Sequence, residues 1–301
     1  MATMLLSHRR AGLAAAGAWV ETHAVVHTSY RLHVVENRRV VCDDGLFFGA
    51  FDRRGQLGRP VLTVVLSGRA RLRTPGAERW LVPGDLAVLH AKGAIEMRQE
   101  GDPFRSIALE WDPGTLGGAV PGGLSSGRLA PQDLAKLETA ARNVCACGRD
   151  ASRAPSAIAA LLARLRASGI PLDAHEPGAL VEPVAPQLVR LSRALDDVLS
   201  DLAGNPAGVD LDTALGLSAR QVNRLVTTFN ARFAFNAAGW RDTRNRRRLM
   251  VAAVLLTAPT ATTERVTTAV GYAAPTALCH AFAQAGLPSP GSIARAVEHL
   301  L

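Results

Sequence analysis

Apolar residues recur with two different periods along this chain, and the change of period divides it. Between residues 19 and 111 the apolar runs are short and β-branched, as in Val61–Leu66, and each stops at a Gly or Pro turn. The spacing predicts strands at 61–66, 70–73, 79–82, 86–89, 95–98 and 106–111. Turns are expected at Ser67-Gly68, Pro75-Gly76 and Pro83-Gly84-Asp85. Short strands punctuated this regularly argue for a β-sandwich or barrel.

Residues 112–127 are rich in Gly, Pro and Ser and read as a loop or linker. Beyond them the period becomes helical. Leu134, Leu137, Ala141 and Val144 fall on one face, as do Ile158, Leu161, Leu162 and Leu165. These two helices are expected to pack on the barrel or against a second copy of the chain. A second punctuated stretch carries Pro171, Pro177, Pro183 and Pro186, and the remainder is helical with short breaks. The expected fold is therefore α+β and multidomain. A β-barrel occupies 1–111, a linker with amphipathic helices 112–186, and an all-α domain 187–301.

With 48% apolar and 20% charged residues among 301, the chain can bury sizeable cores, which excludes disorder as its overall state. No run approaches the ~18 apolar residues of a membrane span. Four cysteines make no disulfide framework, so a reducing compartment is the default. His8-Arg9-Arg10 ahead of the small-residue run 11–20 has the charge order of a secretory leader. The run is short and Ala/Gly-rich, however, and a cytoplasmic location is expected.

Charge sharpens the picture locally. The chain has 34 basic and 26 acidic residues, and its only lysines are Lys92 and Lys136. From Ser218 to Arg248 there are eight arginines and one acid, Asp242, a local +7 that points to a polyanionic partner. Within that segment Gly216-Leu217 forms a turn and Ser218 is an N-cap, its hydroxyl placed to accept from free backbone N–H groups. Val222, Leu225, Val226 and Phe229 predict a buried helix face. Arg220, Asn223, Arg224 and Thr227 point the other way, and such side chains read base edges and phosphates from a major groove. A merely solvated helix face would explain two arginines but not the absence of any acid.

The pattern then repeats. Val270-Gly271-Tyr272 is a turn and Pro275 suits a first helical position. Leu278, Ala281, Phe282 and Ala285 face inward; Thr276, Cys279, His280 and Ala283 face outward. One helix, 241–257, connects the two units, with Leu249, Ala252, Leu255 and Leu256 as its packed side. Arg244 and Arg248 share that side and are expected to tie the units together. Arg246 and Arg247 face elsewhere and are expected to be more available to phosphate than Arg244 and Arg248.

Residues 187–298 resemble the DNA-binding domain of the arabinose-regulator (AraC/XylS-type) family of bacterial transcription factors. The resemblance is carried by Gly216-Leu217-Ser218, Arg220 and Arg224, by Arg248-Leu249 with Ala252 and Leu255-Leu256, and by Val270-Gly271-Tyr272, Phe282 and Ser289-Pro290. It implies two helix-turn-helix units whose recognition helices enter successive major grooves of double-stranded DNA. The DNA-contacting set expected on this basis is Ser218, Arg220, Gln221, Asn223, Arg224, Thr227, Arg246, Arg247, Pro275, Thr276 and His280. The chain departs from the family at Asp212, at Thr263, in a longer stretch between Phe229 and Arg248 containing Gly239-Trp240, and at His280 and Ala283, where cations are common. The second unit is thus expected to grip phosphate weakly.

Residues 61–111, with Leu66-Ser67-Gly68 and Val82-Pro83-Gly84-Asp85, resemble the small cupin barrel that often precedes such a domain as its sensor or dimerisation module. Enzymes on that barrel hold a metal with a His-x-His…Glu cluster and a later His. Here no histidine lies between Gly68 and Pro83, and His90 stands alone, so no metal or other cofactor is expected. His23, His27 and His33 share strand parity and make a remoter candidate set. Cys145 and Cys147, two apart on a helix, point about 200° from each other and suit a packed helix end better than an ion clamp.

The sequence therefore predicts a non-enzymatic, sequence-specific transcriptional regulator. Its expected partners are duplex DNA, a small-molecule effector, a second copy of the chain and, for an activator, RNA polymerase. A metal-dependent cupin-fold enzyme with a helical accessory domain, and a regulator that needs no ligand, are the other readings.

Overall fold

The computed structural model describes residues 4–27, 30–43, 60–74, 77–90, 96–112, 124–148, 153–170, 172, 184–233, 235 and 237–297. Among these residues the N-terminal part is an antiparallel sheet of nine strands: β1 (Leu5–Leu13), β2 (Ala18–Val26), β3 (Tyr30–Arg38), β4 (Cys42–Asp43), β5 (Pro60–Thr74), β6 (Ala77–Leu81), β7 (Asp85–His90), β8 (Glu96–Trp111) and β9 (Leu124–Arg128). Among the described residues the order is β1-β2-β3-β8-β5-β7-β9, with β4 beside β8 and β6 beside β5.

Three elements differ from the pattern-based expectation. Residues 8–20, which have the charge order of a targeting segment, fall in β1 and the start of β2, and β1 is paired along its whole length with β2. The stretch 124–128, expected as linker, forms β9 on β7. Finally, Ser67-Gly68 is a bulge inside β5 rather than a turn. Gly68 has a φ of +78°, and a Cβ there would lie 2.8 Å from the Glu100 carbonyl oxygen and 2.9 Å from the Phe104 ring. Across from it, a Cβ on Gly101 would lie 2.9 Å from the Gly68 Cα. Two facing glycines thus let β5 and β8 meet at a bend, so each continues as one long strand where two were predicted. The predicted Pro75-Gly76 turn lies outside the described residues.

One face of the sheet carries Leu32, Leu62, Val64, Ile107, Leu109 and Trp111 and is covered by α1 (Pro131–Cys147) and α2 (Ala154–Ala167). The helical stripes read from the sequence are the covering surface: Leu137, Val144, Ile158, Leu161, Leu162 and Leu165 are buried there. Each fully buried Leu or Ile contributes roughly 1.5–3 kcal/mol. Where β2 ends, the His27 ring stacks on Tyr30 at 4.7 Å, and burial pushes its imidazole down to about 4.

This gives a signed pH prediction. The folded chain holds His27 neutral while the unfolded chain protonates it below ~6.5, so its contribution falls as pH drops from about 6.5 to about 4. The natural chain should lose about 3 kcal/mol across that window relative to His27→Phe. Urea denaturation at several pH values checks this, and parallel curves for the two proteins would refute it.

The C-terminal part is helical: α3 (Pro186–Val198), α4 (Gly208–Leu215), α5 (Ala219–Arg232), α6 (Trp240–Leu255), α7 (Thr263–Ala269), α8 (Pro275–Gln284) and α9 (Pro290–Val297). Its core does not stop at residue 187. Leu5, Leu13, Ala18, Val26 and Val40 belong to the same apolar cluster as Leu191, Leu195, Phe229, Ala252 and Val266. Among the described residues, no helix is long and apolar enough to cross a membrane.

The junction between sheet and helices is also polar. Alternate residues of β1 reach α3, where the fully buried Asp196 accepts from the Ser7 hydroxyl at 2.8 Å and from Arg9 Nε at 2.6 Å. Farther along, Arg31 of β3 donates to the Phe233 carbonyl at the end of α5 and lies over the Phe235 ring at 5.0 Å. The Val41 N–H donates to the Thr257 hydroxyl at 2.7 Å.

Candidate nucleic-acid interface

Helix α4 ends on Gly216, whose φ of +64° is the left-handed turn that suits glycine, and α5 starts three residues later. Val222, Val226 and Phe229 are buried against α3 and α4, and Leu225 is half-buried. Ser218, Arg220, Gln221, Asn223, Arg224 and Thr227 are exposed, so the outward face is the one its periodicity predicts. No acid lies on α5.

Ser218 is the N-cap of α5, as expected, in a capping box with Gln221. The Ser218 hydroxyl donates to Gln221 Oε1 at 2.8 Å, and the same oxygen accepts the Ser218 backbone N–H at 3.0 Å. Gln221 is thereby held at the helix start instead of projecting freely. The Thr227 hydroxyl contacts the carbonyls of Asn223 (2.9 Å) and Ala238 (3.0 Å).

Helices α7 and α8 repeat the arrangement. The Thr262 hydroxyl accepts from the Arg265 N–H at 3.2 Å and caps α7. The turn passes through Gly271 at φ +72°, and Pro275 opens α8. Leu278 and Phe282 are fully buried; Pro275, Thr276, Cys279, His280 and Ala283 are exposed. His280 Nε2 lies 3.0 Å from the Gln284 amide nitrogen.

The connecting helix α6 fastens both units. Arg244 donates to the Pro206 carbonyl at 2.9 Å, just before α4, and Arg248 Nε donates to the Val270 carbonyl at 2.5 Å in the second turn. The Arg248 guanidinium also lies 4.2 Å over the Tyr272 ring, and burial holds its pKa below the usual arginine range. At Gly271 a Cβ would come 2.1 Å from the Leu202 carbonyl oxygen and 2.9 Å from Arg248 Nη2, so the clasp needs glycine there. Arg244 and Arg248 thus tie the units together as their helix positions predict.

Arg246 and Arg247 are placed otherwise than expected. Arg246 Nε binds Asp242 Oδ1 at 2.8 Å, one turn back on α6. Arg247 is turned into the junction with the sheet. Burial pushes its pKa down to about 9, with Arg9 adding to the shift and Asp196 opposing it. Its Nε is sealed from solvent without a hydrogen-bond partner. Arg247 as a whole is half-buried, so its stem and Nε belong to the junction and not to an open helix face.

Asn230 was missed by sequence reasoning. It is 2% exposed, and its amide nitrogen donates to the Ala237 carbonyl (3.0 Å) and the Thr243 hydroxyl (3.1 Å), fixing the corner between α5 and α6. An Asn on the apolar side of an amphipathic helix was the available signal.

Strand parity does not bring His23 and His33 together. Pairing β2 with β3 sets His23 opposite Val34 and His33 opposite Ala24, which puts the two histidines on opposite faces of the sheet. At the end of α1, Cys147 Sγ donates to the Asn143 carbonyl at 3.2 Å. Burial, with Glu21 and Glu36 nearby, pushes the Cys145 thiol up to about 11. The side chain of His90 lies outside the described residues.

No protein-family model matches the chain, and no curated protein matches it. Among solved structures, it is similar to the AraC-like transcriptional activator CuxR, with 14% identity over 78% of this chain and 81% of that one and a TM-score of 0.34. It is similar to unsaturated-fatty-acid-bound ToxT of Vibrio cholerae, with 10% identity over 91% and 98% of the two chains and a TM-score of 0.37. It is also similar to the EutQ protein of Clostridium difficile, with 14% identity over 31% and 68% and a TM-score of 0.23.

Proposed function

We propose that this chain is a sequence-specific DNA-binding regulator of transcription of the arabinose-regulator type, with α5 and α8 as its two reading helices. One observation carries the reading: two helix-turn-helix units, clasped through α6 by Arg244 and Arg248, each present an exposed face free of acids. A fixed pair of such helices matches duplex DNA better than a mobile pair, because the geometry is set before binding. The first unit supplies most of the specificity, since Arg220 and Arg224 offer fork-shaped donors while α8 offers Thr276 and His280.

The sheet serves as the sensing module. Thr63, Ser106 and Asn37 lie on the same sheet face as Arg31, and their buried side-chain oxygens, with the Asn37 amide nitrogen, have no hydrogen-bond partner among the described residues. Leaving a buried polar group unsatisfied costs about 1–3 kcal/mol, so this face favours a small polar ligand over an apolar one. Arg31 joins it to the end of α5 and gives such a ligand a route to the reading helix.

Selection of bound duplexes from a random pool with the full chain, at two salt concentrations, tests the reading. The expected result is an enriched motif whose affinity falls as salt rises. Binding no stronger than that of a neutral control protein at ~50 mM salt, where phosphate contacts are strongest, would end it.

A further inference from the structure

The edge hairpin β1–β2 gathers metal-binding side chains that neither DNA reading nor the polar sheet face uses. Its register sets His8 directly opposite His23 and Arg10 opposite Glu21, so His8, Glu21 and His23 rise from one face. The imidazoles stack at 4.3 Å, only 10° from parallel. Both present Nε2 to one carboxylate oxygen: Glu21 Oε1 is 2.6 Å from His8 and 3.6 Å from His23. The three donor atoms lie within 4.8 Å of one another. Their side chains remain 37%, 20% and 19% exposed for His8, Glu21 and His23, so an ion can reach them.

We propose that His8, Glu21 and His23 form a binding site for a divalent first-row transition-metal ion. Two imidazole nitrogens with one carboxylate oxygen are a donor set suited to zinc and to ferrous iron, and three protein donors leave positions open for water or a further ligand. Donors about 2.0–2.1 Å from a tetrahedral ion stand about 3.3 Å apart. The His23–Glu21 separation is already near that value. The His8–Glu21 pair opens by about 0.7 Å as the ion takes the place of their direct contact, a side-chain adjustment that leaves the hairpin register intact. Arg10 approaches the other carboxylate oxygen, 3.7 Å from Glu21 Oε2, and its guanidinium rests 4.4 Å over the Trp19 ring. Its charge therefore sits on the far side of the carboxylate from the two imidazoles.

The site lies outside the positions where the barrel resemblance implies a metal, and it departs from the expectation that the chain takes none. It stands whether or not the chain reads DNA. Strand alternation adds a consequence: Ser7 and Arg9, flanking His8, hold Asp196 of α3 from the opposite face of β1. An ion at His8 stiffens the segment that joins sheet to helices.

The test uses the full chain, stripped with a chelator and titrated with Zn2+ by calorimetry, with Co2+ as a visible-absorption probe. One tightly bound Zn2+ per chain is expected, together with d–d bands from Co2+. The Tm should rise by about 5 °C at ~100-fold excess over Kd. Glu21→Gln and His23→Gln should each weaken binding at least about 100-fold while the metal-free proteins keep their far-UV circular dichroism. Equal Zn2+ stoichiometry and affinity in a His8→Ala/His23→Gln double variant would overturn the proposal by placing the ion elsewhere, for instance at Cys279 and His280. Failure of the natural chain to bind Zn2+ or Co2+ at micromolar concentration would overturn it outright.

Discussion

Asp196→Ala is expected to destabilise the folded chain by about 3 kcal/mol or more, although residue 196 touches neither reading helix's exposed face. The carboxylate is fully buried, accepts from Arg9 Nε on β1 at 2.6 Å, and favours the charged form of Arg247 on α6, which Arg9 opposes. Its removal leaves two like charges facing each other in a low-dielectric junction and frees the Ser7 hydroxyl as well. Breaking one side of a buried pair costs more than the pair contributes, because the stranded charge keeps its desolvation penalty. Arg247→Met is expected to be neutral or stabilising on the same grounds, since Arg9 still satisfies Asp196. Adding Arg247→Met to Asp196→Ala should therefore recover part of the loss. Urea denaturation of the four proteins measures this cycle; an Asp196→Ala cost below about 1 kcal/mol would mean that the junction's charges are solvated.

The second large effect concerns specificity. Arg220→Ala should relax base preference at one position of the selected site and cost roughly 1–3 kcal/mol there, as loss of a bidentate guanine contact does. Arg224→Ala should do the same at a neighbouring position, being one turn along the same exposed face. Arg247→Ala, in contrast, should leave the salt slope of DNA binding unchanged, because its guanidinium lies in the junction; a phosphate contact would lower that slope by roughly one. Competition binding with the natural and Arg220→Ala proteins decides the matter. An unchanged motif and affinity in both α5 variants would move recognition to α8.

Helical periodicity was legible because the helix faces are one-sided. Val222, Val226, Phe229, Leu278 and Phe282 are buried, and the arginines opposite are exposed. The same reasoning placed Arg244 and Arg248 on the packed side of α6, where their caps on Pro206 and Val270 lie. It failed for Arg247 because the second partner of α6 is not another helix but the sheet edge. Periodicity says which way a side chain points, not what stands there. Strand β1 was illegible for a related reason. Its two faces meet different neighbours, so Leu6, Ser7, His8 and Arg9 alternate between sites that are both partly polar, and the apolar contrast is lost. The cluster of His8 with His23 followed from that missing strand, since parity within one strand does not show which residue a partner strand places opposite. Gly68 read as a turn because a glycine with positive φ has the same local signature in a turn and in a bulge.

The shared cluster of β1 with the helices has a consequence for how the chain is made. Ser7 and Asp196 are 189 residues apart, so at ~5–20 residues per second the first partner waits roughly 10–40 s in synthesis for the second. During that interval β2 can pair with β1 and bury one face, while Leu5, Leu13 and the Arg9 guanidinium lack the surface they will finally meet. The nascent sheet thus carries a sticky edge until α3 has emerged. Slowing translation ahead of residue 186 prolongs its exposure to aggregation and to chaperones.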